Sequence, residues 1–204
     1  MSDLSRREFI EQTALASGSL WMMLNAPYPR ALQAAQESTR PAALTAGEWK
    51  TVEAVTGRII PTDHEPGAIE ANCVNFIDKA LAHEDAQLKP LYQKGVAGLD
   101  AVAGKRFAKS FVELTPEQQD DVLGAVESGK AEGWPAGTSG AEFFAVVRMH
   151  TITGFLADPK HGGNRGYAGW RVTGYPGGGH HMGGYSPAQM MGEAKVKTIW
   201  GDEV

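Results

Sequence analysis

Asp158–Gly179, DPKHGGNRGYAGWRVTGYPGGG, divides the chain into two kinds of sequence. From Gly162 to Tyr185, ten of the 25 glycines are interleaved with Tyr167, Trp170, Tyr175 and Tyr185. Glycine loses the most backbone entropy on ordering and offers no side chain to bury, so this stretch does not hold a shape by its own packing. Either the rest of the chain or a second protein must support it. No strand alternation precedes Arg171-Val172-Thr173 and the upstream sequence repeats at helical intervals, so the expected fold is all-α with an irregular, glycine-rich C-terminal arm.

Working back from the arm, Ser139-Gly140-Ala141-Glu142 reads as the cap of a helix over 141–157 that Asp158-Pro159 stops. Phe143, Phe144, Val147, Ile152, Phe155 and Leu156 make it the most apolar helix, which places it at the core. His150 interrupts it and reads as a buried, hydrogen-bonded histidine orienting the root of the arm, in preference to a general base. Thr115-Pro116-Glu117-Gln118 starts a helix that Gly129 closes, and 129–140 is a loop. Leu91, Val96, Leu99 and Val102 predict a helix over 90–104. Ile69, Cys73, Phe76, Ile77, Ala80 and Leu81 predict another over 68–84. Thr45 and Glu48 have capping-box spacing ahead of a helix that ends at Pro61. The body thus holds about five helices over 45–157, after a polar linker at 35–44 and before the arm and tail at 158–204.

At 204 residues the chain suffices for one domain, and a formal charge of −5 without a basic run argues against a nucleic-acid partner. The single cysteine, Cys73, excludes an internal disulfide framework and reads as a small buried hydrophobe. At the N-terminus, Ser5-Arg6-Arg7-Glu8-Phe9-Ile10 precedes an apolar run from Ala14 to Ala26. Paired arginines before so short a run are the layout of a twin-arginine export signal, carried by Arg6, Arg7 and Phe9 over residues 1–34. A bilayer span would need about 20 apolar residues.

Nucleophile elbow, phosphate loop and dinucleotide fingerprint are all missing from the sequence; Gly162-Gly163-Asn164-Arg165-Gly166 follows a helix, the wrong context for the last. Asp63-His64-Glu65 reads as a solvated turn, because three adjacent residues seldom converge on one ion. His180-His181-Met182 has the ligand softness for copper, and with His150 and His161 it defines a rival reading as an independent periplasmic copper-binding protein or enzyme.

Three stretches together resemble a known family: the leader, Arg58–Glu70 (RIIPTDHEPGAIE) and Gly154–Gly177 (GFLADPKHGGNRGYAGWRVTGYPG). They are similar to the small subunit, subunit 3, of gluconate 2-dehydrogenase-type complexes. The resemblance spans about 45–178 and the leader, and leaves the tail beyond it unmapped. It implies a chain with no active site or cofactor of its own. Such a chain folds with a FAD-dependent catalytic subunit of the glucose–methanol–choline class, supplies its export signal to the twin-arginine translocase, and accompanies it to the periplasm, commonly with a multi-haem cytochrome c subunit.

Beside that resemblance, the arm's aromatics and its arginine suit an interface. Asp158, Asn164, Arg165, Trp170 and Tyr175 are expected to fix its course, with Tyr167, Pro176, Arg148 and His150 completing the interface set. Asp158 should pair with a cation, Arg165 or Arg148, or with a backbone amide. Asn164 suits a left-handed turn. The alternative for Trp170 and Tyr175 is that they seal the chain's own core.

Overall fold

Thr45 opens the first helix with a complete capping box: its hydroxyl accepts from Glu48 N and the Glu48 carboxylate accepts from Thr45 N, satisfying two amides the helix leaves over. The computed structural model describes residues 41–177 and 185–199, so the leader with Arg6, Arg7 and Phe9, most of the linker, and His180 and His181 lie outside the described residues. Seven α-helices and no strand occur among those described: α1 Ala46–Ile59, α2 Cys73–Ala82, α3 Lys89–Phe107, α4 Pro116–Glu127, α5 Gly140–Leu156, and the short α6 Ala168–Thr173 and α7 Pro187–Met190. The all-α expectation holds. No helix among the described residues is long and apolar enough to cross a membrane.

The boundaries follow local chemistry. At α4, Thr115 and Gln118 form a second capping box. Its far end closes where Gly129 takes φ +68 and Lys130 N reaches back to Ala125 O, the left-handed glycine stop. Helix α2 begins at Cys73 rather than Ala68, because Asn72 sits in the left-handed region (φ 57, ψ 40) and breaks the helical run. Residues 68–72 are turns instead, with Ala68 N donating to Ile60 O and Cys73 N to Ala68 O. The arm is less irregular than expected: Arg171-Val172-Thr173 is the last turn of α6, and two 3-10 turns, Pro159–His161 and Arg165–Tyr167, precede it.

Helix α5 is central, packed by α1, α2, α3, α4 and α6. Its Phe143 and Val147 join Val52, Val55, Ile77, Leu81, Tyr92, Leu99, Val102, Phe111, Val122 and Val126 in the main core. Farther along, Phe155 packs with Ala68, Ala71, Cys73 and Ala168 in a second cluster under the arm. Burial pushes the Cys73 thiol up to about 12, so it is an inert packing group. Ile152 and Leu156, two of the residues that make this helix apolar, are 45% and 41% exposed. At 100° per residue they fall opposite Phe143, Val147 and Gly154, and nothing described covers them.

One buried carboxylate ties down the start of the body. Asp78, on α2, accepts from the backbone amides of Ala42, Ala43 and Leu44 at 2.6, 3.0 and 2.8 Å. Ala43 and Leu44 are themselves buried, so the expected linker ends in a pinned segment.

Candidate functional site: the arm and its root on α5

A helix leaves its last four carbonyls without intrahelical partners, and here the arm supplies donors at that end. Trp170 Nε1 donates to Leu156 O at 2.7 Å and Asn164 Nδ2 to Ala157 O at 2.9 Å. Asn164 holds left-handed angles (φ 47, ψ 39), as its sequence context suggests, and its Oδ1 accepts from Gly169 N at 2.9 Å. On the other side of the arm, Asn75 Nδ2 donates to Gly162 O at 2.8 Å and Arg165 N to Ala71 O at 3.0 Å. Two glycines let the backbones come this close: a Cβ at Gly163 would fall on the Gly154 carbonyl, and one at Gly169 on the Phe155 carbonyl.

The aromatic residues divide between two environments. Tyr167 and Trp170 are buried and stacked at 5.6 Å, and Tyr175 stands edge-on to Trp170 at 5.0 Å but is half-exposed. Tyr167 takes φ +61, a conformation that costs a side-chain-bearing residue roughly 1–2 kcal/mol, so its surroundings hold it there. Trp170 is buried with its indole held to the end of α5, and of that pair Tyr175 keeps the larger exposed face. Pro176 O accepts from Ile199 N at 3.1 Å, and the Tyr185 hydroxyl donates to Gly177 O, so the tail returns to the arm.

Of the partners expected for Asp158, the structure supplies the backbone amide and neither arginine. Asp158 pairs with neither Arg148 nor Arg165. It caps the following 3-10 turn, accepting from Lys160 N at 3.0 Å, with Lys160 Nζ 3.9 Å away. Arg148 reaches the other way, to Glu127 at 2.9 Å, with its guanidinium over the Phe144 ring. Arg165 is exposed and contributes its backbone amide.

His150 is buried, as expected, but it does not orient the arm. Its Nδ1 lies 2.8 Å from the Tyr92 hydroxyl, and the two rings are nearly parallel. Burial pushes the Tyr92 phenol up, so the hydroxyl stays protonated in its bond with Nδ1, and the ring's second nitrogen is Nε2. That nitrogen is 3.3 Å from Asp85 Oδ2, off the line of a hydrogen bond, so the contact is electrostatic. Desolvation lowers the His150 pKa below its usual value against the opposing pull of Asp85. The histidine thus cross-links α5, α3 and the α2–α3 connection. His161 lies on the rim of an open cleft with Lys79, His83, Asp85 and Lys160. Among the described residues no group of three or more His, Cys, Asp or Glu side chains is placed to hold a metal.

Asn75, Asp78, Tyr92 and Asp85 were missed from sequence. The signal for the first two was present: polar residues at the packed spacing of an otherwise apolar helix call for partners.

Fold and geometry define an all-α protein whose glycine-rich arm is strapped onto the end of its central helix by side-chain donors. The family model for gluconate 2-dehydrogenase subunit 3 matches residues 46–177, the helical body and the arm to Gly177, and the chain belongs to that family. Neither a curated protein nor a solved structure gives a significant match.

Proposed function

We propose that this chain is the non-catalytic small subunit of a periplasmic FAD-dependent sugar or sugar-acid dehydrogenase. It folds with a catalytic subunit of the glucose–methanol–choline class, stabilises it, and escorts it through the twin-arginine translocase. FAD resides in that partner, and a multi-haem cytochrome c forms a third subunit carrying haem c. The match to subunit 3 of gluconate 2-dehydrogenase across the body and arm carries the reading. It is supported by the uses the arm makes of its polar groups: Asn164 and Trp170 hold the arm to α5, and Asp158 caps its first turn. The leader supplies the address. Replacing Arg6-Arg7 by Lys-Lys should leave both this chain and the flavin subunit in the cytoplasm, read by fractionation and dehydrogenase activity; a flavin subunit that still reaches the periplasm sinks the escort role.

A further inference from the structure

The open cleft beside the root of the arm is a concave site that packing leaves free and lines with polar groups. It encloses about 470 Å³ between the second half of α2, the α2–α3 connection, and the end of α5 with the turn that follows it. Small-molecule sites are commonly of this size, with an apolar wall and a few fixed polar groups. Phe76, Ala80 and Ala157 form the wall here. The groups around it are held from behind. The Phe76 ring is wedged where a Cβ at Gly154 would meet it at 3.0 Å, and the His150 ring stands edge-on to it at 6.5 Å. The Lys79 stem passes Gly162, whose φ is +97 and where a side chain would meet Lys79 Cδ at 2.9 Å. The Asp85 carboxylate lies between Gln87 Nε2, at 3.4 Å, and His150 Nε2, at 3.3 Å, a buried nitrogen with no hydrogen-bond partner among the described residues.

Charge and hydrogen-bonding capacity narrow what fits. Lys79 and Lys160 are matched on the lining by Glu84 and Asp85, and Lys160 also has Asp158 at 3.9 Å, so no excess charge selects a free ion. An ammonium only donates and a carboxylate only accepts, whereas a hydroxyl does both, so neighbouring hydroxyls can use the two kinds of group at once. A saturated carbon ring offers Phe76 an apolar face. We infer that this cleft binds a neutral monosaccharide or cyclic polyol, with its ring on Phe76 and its hydroxyls shared between Asp85, Glu84 and Lys79. The polar groups are in place before the ligand arrives, which lowers the ordering cost of binding. The inference does not depend on the proposed function, since every group it uses belongs to this chain.

The test is a titration of the isotopically labelled full chain with D-glucose, followed by amide NMR shifts. Saturable binding with a Kd on the order of millimolar, and shifts centred on the residues lining the cleft, is the expected result. Asp85→Asn, which keeps the size and removes the charge-assisted bond, should weaken binding about tenfold. Glu84→Gln, at an exposed position, should weaken it about threefold without altering the thermal midpoint, and it carries the test if Asp85→Asn disturbs the His150 contact. Glu132→Gln is the control: that carboxylate pairs with Lys105 and does not line the cleft, so binding should match wild type. No saturable shifts up to about 100 mM glucose, or wild-type affinity in both cleft variants, overturns the inference. Tighter binding of gluconate, inorganic phosphate or glycine than of glucose assigns the cleft to an anion or a zwitterion and overturns it as well.

Discussion

His150 shows how burial decides what a titratable residue does. Its ring is enclosed by Tyr92, Phe76 and the Asp85 carboxylate; Tyr92 is bonded to one nitrogen, and burial favours the neutral form against the pull of Asp85 beside the other. Desolvation holds its folded pKa below the unfolded value near 6.5, so the unfolded chain takes up this proton more readily than the folded one. The contribution to stability is therefore complete above about pH 6.5 and is lost as pH falls through the lowered folded value. His150→Gln should flatten the fall of the thermal midpoint as pH drops below about 6.5 relative to wild type; parallel midpoint curves for the two proteins would show that His150 does not carry the dependence. His64, His83 and His161 are exposed and remain in both proteins, so the comparison isolates the buried ring.

At the scale of the element, the arm behaves as a capping device for α5, and its glycines set how close it comes. Gly163→Ala places a methyl group on the Gly154 carbonyl, backbone against backbone, where neither side can swing away. The arm should lift from α5, exchanging the donors of the Leu156 and Ala157 carbonyls for water at about 0.5–1.5 kcal/mol each. Limited proteolysis should then cut within 158–177 while the main core persists; an arm as protease-resistant as wild type would contradict this account. The helices were legible because capping boxes at Thr45 and Thr115 and the stop at Gly129 are local chemistry. The start of α2 was not, because the left-handed turn at Asn72 depends on contacts between residues 60 and 68 that no helical period records. The arm's support could be posed but not chosen from sequence, since Trp170 and Asn164 meet their acceptors on α5 only once the chain has turned back. Asp158 takes the backbone amide of Lys160, one of the partners its position offers, and no arginine reaches it because Arg148 points to Glu127.

For the whole molecule, the division of α5 into a packed face and a bare one was invisible in its composition, which is apolar throughout. Only the placement of the other helices decides which side is covered, and it leaves Ile152 and Leu156 facing out. The Asp78 carboxylate has a mechanical consequence of its own. Because it grips the amides of residues 42–44 from the middle of α2, tension applied to the chain ahead of residue 41 is delivered to α2 in the core. Helix α1 is thereby shielded from being peeled off first. In single-molecule pulling from the N-terminus, wild type should yield in one cooperative rip at high force. Asp78→Ala should shed α1 at lower force before the remainder gives way, and an unchanged force trace would mean the grip bears no load.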